Sequence, residues 1–228
     1  MEKTILITGA SSGLGFAAAK LFAANDWTVV GSSTTKEGAQ KIEKNCPDSR
    51  GFVCDFRDLK SADEQISAVL EEFPRIDVLL NNTGIKAKGP VEELGIDEIE
   101  NLLNINVAGH ILVTRLVVPM MKTAGSGKII NISSTVGKNY AGNFTLYSAS
   151  KHANTGFSKS LMEELLETPI SVSTVYPGGI DTPFHEGGRP NYLKPEDVAE
   201  TIYFIATRPG HVLIPDLVVV PKSEKRIP

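Results

Sequence analysis

The chain has 228 residues, 41% hydrophobic and 22% charged, with a formal net charge of −4. That length suffices to bury a full core as one α/β domain, and the charge leaves no basic footprint for nucleic acid or an anionic membrane. Two cysteines, Cys46 and Cys54, lack metal-type spacing and a neighbouring His pair, so they read as reduced thiols and no metal site is expected.

The first residues run directly into an apolar-rich segment without the longer apolar region of a signal peptide. No run approaches the roughly 18 uninterrupted apolar residues of a membrane span, so the sequence is read as that of a soluble, cytoplasmic protein. From there short β-branched runs alternate with longer helical ones, which predicts βαβ units and a parallel sheet covered on both faces. Residues 1–220 are expected to form a single domain, with 221–228 as a frayed tail.

The first strand is Thr4 to Thr8, followed by a glycine turn, Gly9-Ala10-Ser11-Ser12-Gly13-Leu14-Gly15, and a helix to about Ala24. A glycine turn between strand and helix lets backbone amides and the helix N-terminus receive a pyrophosphate. Gly15 would also permit close packing of helix on strand. The plain alternative is a glycine-rich βα turn.

Strand two, Thr28 to Ser32, ends in Ser33-Thr34-Thr35-Lys36. An acidic residue there would bond the adenosine ribose 2′-hydroxyl of NAD, whereas hydroxyls and a lysine tolerate a 2′-phosphate. NADP(H) is therefore favoured with NAD(H) possible, although Ser12 stands where a basic residue of the glycine loop could strengthen the site. After a polar helix, 36–44, strand three runs from Gly51 to Asp55. Asp55 could accept a hydrogen bond from an adenine amino group or cap the following helix.

Ile66, Val69, Leu70 and Phe73 mark the next helix, and Asp77 to Asn81 the fourth strand. Asn82 and Gly84 then stand at the carboxyl edge of the sheet, where ligands bind in open α/β folds. One long helical region spans 97–122 and is apolar on more than one side between Ile105 and Val118. Asn106 lies within it, where an amide must find a polar partner.

Lys128 to Ile132 is strand five, leading to Ser134 and then to a helix carrying Tyr147 and Lys151. A four-residue spacing puts these two on one helical face, so the ammonium is expected to lower the phenol pKa from about 10. Such a tyrosine can exchange protons with an alcohol oxygen. Strand six is Ser171 to Val175. The polar stretch after Pro177 and Gly178 reaches Lys194 as a loop, a helix spans 195–206, and strand seven is expected over Val212 to Val220.

These motifs together resemble the short-chain dehydrogenase/reductase family over Thr4 to about Val220. Thr8 to Gly15 is similar to its cofactor loop, Asn81 to Gly84 to its Asn-Asn-Ala-Gly motif with Thr83 replacing alanine, and Tyr147 to Lys151 to its Tyr-x-x-x-Lys motif. The resemblance implies a Rossmann-like, doubly wound, seven-stranded sheet and an NAD(P)-dependent carbonyl/alcohol oxidoreductase with a small-molecule substrate.

It further implies a catalytic set of Asn106, Ser134, Tyr147 and Lys151. Gly9, Ser11, Ser12, Gly13, Leu14, Gly15, Ser33, Thr34, Asp55, Asn82, Gly84, Tyr147, Lys151, Pro177, Gly178, Ile180 and Thr182 are implied to hold the cofactor. Helices 105–120 and 152–166 are expected to pair in a homodimer or homotetramer. The alternatives are a cofactor-binding regulatory protein without chemistry and an epimerase with bound NAD. The segment beyond Thr182 is shorter than in many relatives, and Tyr140, Phe144, Phe184, His185 and Tyr192 are candidates to line the pocket.

Overall fold

The computed structural model describes residues 3–184 and 190–224. Seven parallel strands form one sheet in the order β3-β2-β1-β4-β5-β6-β7. They are β1 (Lys3–Ile7), β2 (Trp27–Ser33), β3 (Arg50–Val53), β4 (Val78–Asn81), β5 (Gly127–Ile132), β6 (Ile170–Pro177) and β7 (Asp216–Val219). The helices are α1 (Gly13–Ala23), α2 (Lys36–Asn45), α3 (Leu59–Leu70), α4 (Ile96–Leu103), α5 (Gly109–Ala124), α6 (Thr145–Glu164) and α7 (Pro195–Ala206). The sheet is the doubly wound Rossmann-like arrangement expected from the alternating pattern.

Alternate residues of each strand point to opposite faces, and the strands are apolar on both. Ile5 and Ile7 pack with α1 and α7 through Ala18, Phe22, Val198 and Ile202. Leu6, between them, packs on the other face with Ile66 of α3, Val113 and Val117 of α5 and Leu161 of α6. Burying one such Leu or Ile side chain contributes about 1.5–3 kcal/mol, so the two-sided pattern alone accounts for the layering.

The order reverses beside β1, whose neighbours are β2 and β4. This opens a crevice at the carboxyl ends of β1 and β4, the location at which doubly wound sheets accommodate ligands.

Three boundaries differ from expectation. The long helix over 97–122 is divided: α4 gives way to a π-helical turn, Asn104–Ala108, before α5 begins. Strand seven is shorter than expected, because pairing with β6 covers only Asp216 to Val219 and Pro215 contributes a carbonyl to Thr174 but has no N–H to give. Pro221 to Glu224 do not fray: Pro221 is buried, Glu224 N–H closes a turn on the Pro221 carbonyl, and Ser223 Oγ donates to the Asn191 carbonyl at 2.8 Å.

The continuous helical stretch Ile96–Ala124 is long and apolar enough to cross a bilayer by length and composition. Its Val113, Val117 and Met121 are instead wholly buried against the sheet.

On α5 the imidazole of His110 is wholly buried, and its Nε2 lies 2.7 Å from the Thr83 carbonyl, fixing Nε2–H as the donor and tying α5 to the loop after β4. Burial, and secondarily the nearby Lys151 charge, hold its pKa down to about 3. An unfolded histidine binds a proton below about 6.5, so between that value and about 3 the unfolded chain carries one proton more than the folded one.

His110 therefore withdraws stability as pH falls through this window, by about 1.4 kcal/mol per pH unit. Urea unfolding between pH 4 and 7 should show that slope, and His110→Gln, which keeps a donor for the Thr83 carbonyl, should flatten it. An unchanged slope in the variant would assign the acid sensitivity elsewhere.

Candidate active site

The crevice is a cavity of about 760 Å³ running from the end of β2 across β1 and β4 to the ends of β5 and β6. Its first wall is the glycine turn. The Ser12 side chain does not cap α1, so the first-turn amides keep the unpaired donors of a helix N-terminus. Gly13 and Leu14 line the cavity beside Gly9, Ser11 and Ser12. Gly15 lies behind them, where a Cβ would collide with the Gly9 carbonyl and lie 2.6 Å from Asn82 Nδ2, so any side chain would push α1 off the sheet.

The turn is clasped from β4. Thr8 Oγ1 accepts from the backbone amides of Asn82 and Thr83 at 2.9 and 3.0 Å, and Asn82 Nδ2 donates to the Thr8 carbonyl at 2.9 Å.

At the β2 end, Ser33 and Thr34 line the cavity. Ser33 Oγ donates to Ser11 Oγ at 3.0 Å, and Lys41 Nζ donates to the Ser11 carbonyl at 2.9 Å from above the Phe16 ring. Lys41 escaped the sequence reading because it meets the glycine turn only through the fold, with no motif to mark it. Asp55 stands apart: its carboxylate pairs with Arg57, it does not line the cavity, and α3 is capped by Asp58.

At the far end Ser134, Tyr147 and Lys151 share the cavity wall with Asn82, Gly84, Pro177, Gly178, Ile180 and Thr182. Lys151 Nζ donates to the Ile132 carbonyl at 3.0 Å and lies 5.7 Å from the Tyr147 ring centre. Asn106 is behind the wall, and the π-helical turn is what aims it there. Its Oδ1 accepts from Ile85 N–H at 2.8 Å, and its Nδ2 donates to the Ile85 carbonyl at 2.8 Å and to Ser150 Oγ at 3.1 Å. The structure thus brings the four expected residues into one cluster.

The electrostatics depart from expectation. Burial raises the Tyr147 pKa to about 12, offset in part by a hydrogen bond with Ser134, whereas the lysine was expected to lower it. Burial also lowers Lys151 to about 8. Lys151 is buried and Tyr147 half-buried, and loss of water disfavours the charged form of each. At neutral pH the phenol therefore holds its proton.

Of the aromatic candidates, Phe144, Phe184 and Tyr192 line the cavity, and the Phe184 ring centre is 5.9 Å from that of Tyr147. Tyr140 is 82% exposed and outside it, and His185 lies outside the described residues. The cavity has the amides of a helix N-terminus and hydroxyls near one end, with the Lys41 ammonium held against the Ser11 carbonyl, and a phenol, a serine and a lysine at the other. These residues fit a dinucleotide with a substrate beyond it.

The profile described as short chain dehydrogenase matches residues 3–192. A 3-oxoacyl-acyl-carrier-protein reductase of Thermotoga maritima is 34% identical, over 90% of each chain. An uncharacterized oxidoreductase of Staphylococcus saprophyticus is 30% identical, over 96% of this chain and 97% of its own. Among solved structures, the closed form of serine dehydrogenase complexed with NADP+ superposes with a TM-score of 0.90 at 26% identity, over 98% of this chain and 96% of that one. A metagenomic short-chain oxidoreductase in complex with NADP gives 0.87 at 29% identity, over 97% and 98%. Fold, crevice and sequence agree, and the chain belongs to the short chain dehydrogenase family of NAD(P)-dependent oxidoreductases.

Proposed function

We propose that the protein interconverts a carbonyl and a secondary alcohol, with Tyr147 exchanging the proton of the substrate oxygen. The observation that carries this reading is the convergence of Ser134, Tyr147 and Lys151 on one wall of the cavity, with the Lys151 Nζ 5.7 Å from the Tyr147 ring centre. A nicotinamide cofactor, when bound, supplies or accepts the hydride.

Ser134 holds the substrate oxygen and Tyr147 gives its proton in reduction or takes it in oxidation. A phenol that keeps its proton at neutral pH suits the reductive direction. As the proton leaves, the phenolate gains the Lys151 charge, and Lys151 in turn holds the nicotinamide ribose.

Protons return through the space beside Gly84. A side chain there would begin 3.4 Å from Asn106 Oδ1 and 3.6 Å from Lys151 Nζ, so glycine leaves room for a water between the amide and the ammonium. Gly9 to Leu14, Asn82, Pro177, Gly178, Ile180 and Thr182 hold the remainder of the dinucleotide, and Gly15 keeps the turn tight. Asp55 reaches the adenine only by exchanging its Arg57 partner.

NADP(H) is favoured over NAD(H). Ser33, Thr34 and the Lys41 ammonium meet at the corner where an adenosine 2′-phosphate would fall, and no carboxylate ends β2. The NADP+ and NADP named for the two structural neighbours support this preference, while a reductase from Brucella melitensis complexed with NADH (29% identity, TM-score 0.86) keeps NAD(H) in play.

A homodimer through α5 and α6 is part of the same proposal. Ile111 is exposed, and Leu112, Leu116, Phe157 and Met162 are only partly covered, an apolar face that a second copy would bury.

Tyr147→Phe should bind NADPH normally by fluorescence titration and lose carbonyl reduction by about 100-fold or more; retained turnover would remove the tyrosine from this role. Lys41→Ala should raise the KM for NADPH roughly tenfold with little change for NADH, and equal effects on both would place the 2′-phosphate elsewhere. Sedimentation at micromolar concentration should give a dimer or tetramer, and monomer alone would contradict the pairing of α5 and α6.

A further inference from the structure

Glu224, five residues past the end of β7, is the single carboxylate lining the cavity among the described residues. Its Oε1 accepts from Thr135 Oγ1 at 3.2 Å and its Oε2 from the Gly179 amide at 3.3 Å. Thr135 follows Ser134 in sequence and Gly179 follows Pro177-Gly178, so one side chain spans the two walls that flank the reacting end. Gly178 makes room for it, since a Cβ there would overlap Glu224 Oε2.

The backbone around the carboxylate is tied down on both sides. Gly178 N–H donates to the Val219 carbonyl at 2.8 Å, Leu193 N–H to the Gly179 carbonyl at 2.9 Å, and Ser223 Oγ to the Asn191 carbonyl at 2.8 Å.

Both donors to Glu224 are neutral and at the long end of hydrogen-bond range, and no cation among the described residues pairs with it. An ionised carboxylate has about four acceptor positions, so two remain for a donor. Half-buried charge in a low-dielectric cavity interacts with a ligand charge far more strongly than in water. Among the described residues the other charged side chains lining the cavity are Lys151, beside Tyr147, and Lys86, which lies over the Phe184 ring with its Nζ 5.5 Å from the centre.

The geometry points to Glu224 as the group that reads substrate charge. It favours a ketone or secondary alcohol bearing an ammonium on the substituent near the reacting carbon, and disfavours one bearing a carboxylate. This rests on the oxidoreductase reading above, with Ser134 and Tyr147 fixing the substrate oxygen. Glu224 itself takes no proton or hydride; it positions the substrate and selects it.

The test uses three small secondary alcohols, 1-amino-2-propanol, 2-butanol and 3-hydroxybutyrate, with NADP+-loaded protein at pH 7. Calorimetry gives Kd and formation of reduced cofactor gives kcat/KM, for wild type, Glu224→Gln and Glu224→Asp.

Wild type should prefer the ammonium compound to the carboxylate by at least about tenfold. Glu224→Gln should narrow that ratio to within about threefold, chiefly through weaker binding of the ammonium compound, and Glu224→Asp should restore the preference. The same ratio in wild type and Glu224→Gln, or a wild-type preference for the carboxylate, overturns the assignment. If the binding ratio behaves as expected but none of the three is oxidised, the catalytic reading fails and the charge-reading role stands. If all are oxidised with the ratio indifferent to Glu224, the reverse holds.

Discussion

Because every strand of the sheet is parallel, every strand ends on the same edge, and the chemistry of the molecule is confined to that edge. The tips of β1, β4, β5 and β6 converge there, bringing a glycine turn, an Asn-Asn-Thr-Gly loop, a serine and a Pro-Gly turn into one crevice. The clasp between Thr8 and the amides of Asn82 and Thr83 holds the first two in register across the switch point. His110 reaches the same loop from below through the Thr83 carbonyl. The loop between β4 and α4 is thus fixed at both its faces by buried polar contacts, which in a parallel sheet must be paired to be tolerated.

Burial sets the electrostatic character of the reacting end. Tyr147 and Lys151 were matched by helical spacing, from which a lowered phenol pKa was expected. The fold adds what spacing omits: Lys151 is buried and Tyr147 half-buried, and the lysine spends one donor on the Ile132 carbonyl. Desolvation disfavours the charged form of each, so the phenol moves up and the ammonium down. At neutral pH the phenol thus keeps its proton while Lys151 stays an ammonium, a charge that would stabilise a phenolate if one formed.

The fold was readable from residue pattern because its signals are local. Apolar runs of β-branched residues alternate with helical ones, and each strand's apolar residues serve one of two faces. The glycine turn, the Tyr-Lys spacing and the serine that follows strand five were readable for the same reason. What escaped was what depends on distant contacts or on a local departure from regular geometry. The π-helical turn at Asn104–Ala108 lies in a sequence that reads as continuous helix, yet it is the turn that aims Asn106 at Ile85 and Ser150. Lys41 meets Ser11 across 30 positions, and Asp55 is taken by Arg57 two residues away, an ion pair that its place at a strand end did not announce.

The substrate end is the least local part of the molecule. Gly178 and Gly179 lie between two segments that pack on them from opposite directions in sequence, 190–193 from the loop before α7 and 221–224 from beyond β7. Glu224 joins Thr135 across 89 positions and Gly179 across 45. No periodicity or motif marks such a residue, because nothing in its own neighbourhood requires a carboxylate. Its requirement is set by what the fold leaves opposite it: a backbone amide, a hydroxyl and the open mouth of the crevice. A cofactor site is built from turns whose geometry demands particular residues and so leaves a signature, whereas a substrate site is built from whatever side chains the last loops and the end of the chain deliver.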